Sequence, residues 1–230
     1  MTEIIDLSIP IRDDHFRWTD TERKLLKSHD KGAGQGSWIG LSCHAFTHMD
    51  APVHYWPGGH STDDLTLDKV VGEGAVVDIS DVAGPKHAIT AADLAAAGAH
   101  IREGDIVLLK TRWDERYPYT VPEFWGESPW VTAEAAEWLG KRGIRACGFD
   151  FPQDYSIRNF LTGEPAPARE DNPTHYHLLQ KRDVILIEYL GNMGALKNDR
   201  TFVIALPLKI PNCDGAPSRV ICLQDTPTTH

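Results

Sequence analysis

The sequence is short of cysteine, of positive charge and of long apolar runs, and each shortage disfavours a class of protein. Only four cysteines occur in 230 residues, Cys43, Cys147, Cys213 and Cys222, and none stands in a Cys-x-x-Cys pair. That spacing signals neither a structural zinc site nor a disulfide framework and implies reduced, mostly buried thiols. The 23 Lys and Arg are outnumbered by 33 Asp and Glu, for a formal net charge of -10. Nucleic acid and anionic membrane are therefore not expected as partners, since phosphate binding relies on clustered cations. No segment approaches the roughly 18 consecutive apolar residues of a membrane span, and the N-terminus has no basic leader, so the expectation is a cytoplasmic protein.

Repeats and linkers are lacking too. With 41% hydrophobic and 24% charged residues, the composition is that of a folded globular chain. One domain over residues 1–223, with a frayed tail at 224–230, is the expected organisation.

Local patterns alternate between strand and helix. Alternation over residues 4–11 predicts a strand, and Gly32-Ala-Gly-Gln-Gly36 predicts a loop near the site entrance, without the flanking elements of a nucleotide-binding turn. Apolar runs predict strands over residues 70–79, 106–110, 144–150, 184–188, 201–208 and 218–223. Thr90 and Thr132 are placed to cap helices over residues 91–99 and 133–139, and a short helix is expected over 175–180. Many short strands with a few short helices give an α/β domain containing mixed sheet.

Chemistry concentrates in one stretch, His44-Ala-Phe-Thr-His48-Met-Asp50-Ala-Pro52-Val-His54. Imidazoles with a carboxylate match the ligands preferred by zinc, manganese and similar ions. A straight strand would separate His44 from His48 by roughly 13 Å, too far for one ion. The segment must therefore curl, so a helical turn or tight loop is expected to join the two rings, with Asp50 approaching from the turn ended by Pro52.

This stretch resembles the H-x-G-T-H-x-D-x-P-x-H motif of the cyclase family of metal-dependent hydrolases, which includes bacterial kynurenine formamidases and isatin hydrolases. The resemblance extends to Gly148-Phe-Asp150-Phe-Pro-Gln-Asp154, to Glu188-Tyr-Leu-Gly-Asn192, and to Leu206-Pro-Leu-Lys209 with Asp214-Gly-Ala-Pro217-Ser-Arg219. It implies a swivelling β/β/α fold, a small-molecule substrate, and assembly into dimers or tetramers. It also implies that His44, His48 and Asp50 hold a first divalent metal, Zn or Mn. In two-metal members the aspartate bridges to a second ion completed by a distal His and Glu. Here Glu188 fits the Glu, and either His175 or His177 the His, with His175 favoured by Leu178 and Leu179 after it.

His54 is then free to act as a base, since a divalent ion lowers the pKa of bound water from about 15.7 toward about 7. Phe46 departs from the motif, standing where the family has glycine. Either the loop differs locally or Phe46 forms an apolar wall toward substrate. Asp150 could orient a ligand imidazole or cap a turn, and His60 could face the site or belong to a loop. Trp56 and five further tryptophans in or beside predicted loops suggest aromatic walls for a planar substrate. Asp214 and Arg219 are expected to pair locally, and His15 to lie on the surface. The leading expectation is hydrolysis of an amide C–N bond of a small aromatic or cyclic substrate. Alternatives are cyclic amide, imide or lactone hydrolysis, a non-hydrolytic cyclisation or dehydration, or a metal-binding scaffold without turnover.

Overall fold

Apolar runs with no polar alternation need cover on both faces, and three of them form the middle of the sheet. Strands β7 (Ile106–Lys110), β9 (Ala146–Phe149) and β10 (Ile185–Glu188) are buried at every position. In the computed structural model, which describes residues 2–225, these strands pair in parallel with one another and with β5 (Val71–Asp78). The flank is antiparallel: β11 (Arg200–Pro207) and β12 (Gly215–Asp225) follow β5, and β1 (Thr2–Asp6) borders β12. Burial along β11 changes from residue to residue, as a partly solvated sheet requires.

A three-residue strand closes the sheet. β4 (His48–Asp50) pairs antiparallel with β10 on one side and with β12 on the other. Seven strands thus form a closed barrel with β1 appended, which is the expected mixed α/β single domain. Alternate residues sort onto its two faces. Met49, Val76, Ile106, Leu108, Ile185, Ile187 and Val203 form one cluster, and Val77, Val107, Leu109, Phe149 and Leu186 join a second beneath the helices.

Helix α1 (Ala91–Ala97) begins at the expected cap, Thr90, whose hydroxyl accepts from the Asp93 amide while the Asp93 carboxylate accepts from the Thr90 amide, a capping box. Three one-turn helices, α2 (Trp113–Arg116), α3 (Pro122–Gly126) and α5 (Asn159–Thr162), border the connections. Helix α4 (Ala133–Gly140) starts at the other expected cap, Thr132. The segment His175–Gln180 is wound as a π-helix, a form frequent at functional sites.

Three expectations change. The first strand ends at Asp6, and beyond it only Ser8 bridges, to Leu190. The loop expected over Gly32 to Gly36 is the tip of an exposed hairpin, β2 (Glu22–Lys27) with β3 (Gly36–Gly40), and its last residue, Gly36, already pairs with Lys27. β12 continues through Asp225, where it pairs with Thr2, so the tail cannot begin at Gln224; residues 226–230, including His230, lie outside the described residues. A two-stranded parallel pair, β6 (Ala88–Ile89) with β8 (Trp130–Val131), completes the structure.

Candidate metal centre

Strand periodicity builds the centre. His48 and Asp50 are two apart on β4 and share a face, with Met49 on the other. The antiparallel register sets Glu188 directly opposite His48. Asp50 therefore lies on the strand, not in the turn ended by Pro52. His44 is brought over by the tight turn through residues 43–47, and its ring centroid lies 5.3 Å from that of His48, as the curl anticipated.

That turn explains the motif glycine. Phe46 has φ of 56°, in the left-handed region, and keeps the geometry although it is not glycine. Its ring does not reach the site. It is buried 4.3 Å from the ring of Trp18, so it is a core residue and not a wall toward substrate.

Tautomers follow from the hydrogen bonds. The Nδ1–H of His48 donates to the Phe46 carbonyl at 2.8 Å, which leaves Nε2 as a lone-pair donor, buried and without a hydrogen-bond partner among the described residues. That Nε2 lies 3.3 Å from Asp50 Oδ1 and 3.7 Å from Glu188 Oε2. His175 is anchored at its Nδ1 as well, on Asp154 Oδ2 at 2.6 Å, and its Nε2 faces Asp50 Oδ2 at 3.2 Å and Glu188 Oε1 at 3.5 Å. Two ligands each ~2.0–2.1 Å from one tetrahedral ion stand roughly 3.3 Å apart. An orphaned imidazole nitrogen among acidic oxygens at such spacings fits a divalent cation.

The ion-free electrostatics point the same way. Burial opposes ionisation of Asp50, but hydrogen bonds with His175 and His44 outweigh it and hold the carboxyl well below its usual range. Burial and the Asp50 charge push Glu188 up. His44 has Nδ1 2.7 Å from Asp50 Oδ1 and Nε2 3.0 Å from Asp214 Oδ2; burial works against its charged form, yet these carboxylates raise it to about 9. Burial instead lowers His54, which favours a neutral ring. Its centroid is 4.1 Å from that of His44, and one of its nitrogens is also close enough to Asp50 and His175 to join a ligand group with them.

Several expectations are redirected. His177 turns away, its Nδ1 3.4 Å from Glu137 on α4, so His175 is the histidine that joins the cluster. Asp150 does not orient a ligand: it accepts from the Thr111 amide and hydroxyl and from the Arg112 amide, and burial raises it to about 7. The orienting carboxylate is Asp154, four residues on, visible in the sequence as the second Asp of the Gly148–Asp154 segment. Asp214 is not merely local, since it reaches His44 and, at 3.5 Å, His54. Arg219 pairs with Asp6, 213 positions away in sequence, not locally. His60 and Trp56 are exposed and do not line the cavity. His15 is buried and stacks with Phe16.

A cavity of about 330 Å³ lies over the cluster, and its aromatic lining is Tyr55 and Tyr189, with no tryptophan. Trp113 and Trp125 are core residues. Arg17, Asn172 and Ile157 complete the rim, and of these five only Tyr189 stood in a segment singled out in the sequence, Glu188 to Asn192. The Arg17 guanidinium stacks on Trp125 at 4.2 Å and Phe160 at 4.6 Å, with Nη1 buried and unpartnered. A larger groove of about 560 Å³, lined by Ile9, Leu206 and Arg219 among others, holds none of the ligand-type histidines.

Fold and site together define a metal-dependent hydrolase. The chain belongs to the cyclase family, whose sequence profile matches residues 5–153. A kynurenine formamidase of Erythrobacter litoralis is 32% identical over 183 residues, 79% of this chain and 73% of that protein. One from Salinibacter ruber is 31% identical over 219 residues, covering 94% of this chain and 90% of that protein. Among solved structures, isatin hydrolase A from Labrenzia aggregata superposes with a TM-score of 0.78 at 26% identity, over 96% of this chain and 93% of that one. A predicted metal-dependent hydrolase from Bacillus stearothermophilus gives a TM-score of 0.74 at 28% identity, covering 98% and 100%.

Proposed function

We propose that this chain hydrolyses the amide C–N bond of a small aromatic substrate, an N-formyl arylamine of the N-formylkynurenine type, with His44, His48, Asp50, His175 and Glu188 holding the metal and His54 moving the proton. The observation that carries the reading is the buried, unpartnered Nε2 of His48 among the oxygens of Asp50 and Glu188. The two Asp50 oxygens face different histidines, Oδ1 toward His44 and His48 and Oδ2 toward His175, so the cluster offers donors that would hold one ion or two. All donors are nitrogen or oxygen, a set that suits manganese and zinc alike.

A divalent ion held there supplies Lewis acidity, making water nucleophilic near neutral pH and polarising a carbonyl. The protein does the rest. Asp154 and the Phe46 carbonyl fix the ligand rings in the tautomers that present Nε2. His54, kept neutral by burial, takes a proton from the attacking water and returns it to the leaving nitrogen, with Asp214 steadying the charged ring in between. Tyr55 and Tyr189 flank a flat ring, and Arg17 offers its unpartnered Nη1 to an anionic or carbonyl group of the substrate.

The likeness to isatin hydrolase A favours a second reading, hydrolysis of a cyclic amide fused to an aromatic ring. A hydrolysis screen of formanilides with and without a carboxylate, isatins, imides and lactones, with each ion restored, separates the two. Turnover of formanilides supports the first reading, turnover of isatins alone supports the second, and no turnover overturns both.

Assembly and compartment belong to the same reading. The β2–β3 hairpin exposes Leu25, Leu26, Trp38 and Ile39, which suits cover by a second copy in a homodimer or tetramer. No described helix is long and apolar enough to cross a membrane, and the acidic composition accords with work in the cytoplasm.

A further inference from the structure

The thiols of Cys43 and Cys213 are 170 positions apart in sequence, yet their sulfurs lie 3.1 Å apart. The other two cysteines, Cys147 and Cys222, are fully buried, whereas this pair is half-exposed. Nothing in the proposed chemistry uses either thiol.

The pair sits beside the metal centre in a specific way. Cys43 immediately precedes His44 and Cys213 immediately precedes Asp214, and His44 Nε2 lies 3.0 Å from Asp214 Oδ2. The two contacts are successive rungs between the same two segments. Gly215 lets them approach: a Cβ there would come within 2.6 Å of the His44 ring. Backbone bonds hold the Cys213 segment from the other side, Thr62 N to Cys213 O at 3.0 Å and Ala51 N to Asp214 O at 2.9 Å. A disulfide requires about 2.05 Å between sulfurs, so the pair must close by only about 1 Å.

We propose that Cys43 and Cys213 are a redox-active dithiol whose oxidation to an intramolecular disulfide staples the His44 turn to the Asp214 loop. With hydrogen peroxide as oxidant the step balances. The Cys213 thiolate attacks one oxygen, the O–O bond breaks, and a sulfenic acid and one water form; the Cys43 sulfur then displaces the sulfenic oxygen as a second water. Two thiol hydrogens leave, two electrons reduce the peroxide, and one S–S bond forms. This assignment does not depend on which substrate the enzyme hydrolyses.

The test treats the folded, full-length protein and its Cys43→Ser and Cys213→Ser variants with a stoichiometric amount of hydrogen peroxide, then counts thiols after denaturation and maps peptides by mass. In the wild type, free thiols fall from four to two. The Cys43 and Cys213 peptides appear joined, two hydrogens lighter than their sum, and dithiothreitol separates them. The oxidised wild type melts several degrees higher than the reduced one, and neither variant gives the joined peptide or the shift. The proposal is overturned if all four thiols survive, if either cysteine ends as a sulfinic acid, if the link joins two chains, if the joined protein melts no higher, or if the pair instead holds a divalent ion that Cys43→Ser releases.

Discussion

His175 and Asp154 are joined by a 2.6 Å hydrogen bond from Nδ1 to Oδ2, and the same carboxylate also accepts from the amide and hydroxyl of Thr174. The bond fixes the imidazole so that Nε2, and no other atom of the ring, meets Asp50 and Glu188. Replacing Asp154 by Asn keeps the shape but can turn an N–H toward Nδ1 and release the tautomer. Asp154→Asn is expected to weaken metal affinity by about 10- to 100-fold. Competition with a fluorescent chelator measures this, and unchanged affinity would show that Asp154 does not orient the ligand.

His48 and His54 should separate when truncated. His48→Ala removes the orphaned Nε2 and is expected to lose metal and activity together. His54→Ala is expected to keep its metal and lose about 10²-fold or more in kcat, the scale of a removed proton carrier. Metal content of both variants by emission spectroscopy decides it. An empty site in His54→Ala would make His54 a ligand, as its place in a group with Asp50 and His175 allows.

Metal binding should release a proton. In the ion-free protein His44 is raised from 6.5 to about 9, so at pH 7.5 it is charged and must deprotonate to bind. Affinity therefore rises with pH up to about 9, and calorimetry in two buffers of different ionisation heat detects the proton. The stability linkage runs the opposite way. A folded pKa above the unfolded one gives the ion-free protein a contribution that is complete below about pH 6.5 and disappears as pH rises through about 9. Ion-free melting temperatures should fall over that window, and a flat profile would contradict the pairing of His44 with Asp50 and Asp214.

Much of this centre was legible because its ligands lie close in sequence and its strands are plain apolar runs. His44, His48, Asp50 and His54 fall in one stretch, and Glu188 ends the buried strand β10. The curl between His44 and His48 followed from strand geometry alone. What could not be read was set by register and by long-range approach. Glu188 meets His48 only through the β10–β4 pairing, Arg17 arrives from an irregular N-terminal segment, and Asp214 arrives beside Gly215. The choice between Asp150 and Asp154 depended on which carboxylate the backbone turns toward the π-helix. Tryptophan position in loops misled because Trp18, Trp113 and Trp125 fold back into the core.

Phe46 sets two opposed effects against each other. Restoring glycine relieves a left-handed residue, worth about 1–3 kcal/mol. It also deletes a buried ring packed against Trp18, a loss of about 3–5 kcal/mol when a core Phe is truncated. Lost packing exceeds relieved strain, so Phe46→Gly is expected to lower stability by about 2 kcal/mol in urea denaturation while retaining metal. A stabilised Phe46→Gly would mean that the backbone strain outweighs the packing.

Catalysis, on this reading of the centre, needs the ion that these residues are arranged to hold. The most direct measurement is the initial rate of formanilide hydrolysis by chelator-stripped protein as Mn²⁺ or Zn²⁺ is added back. The expected result is a negligible rate in the stripped enzyme, rising with added ion and levelling off at one or two equivalents per chain. A stripped protein that hydrolyses the amide at the full rate would contradict it.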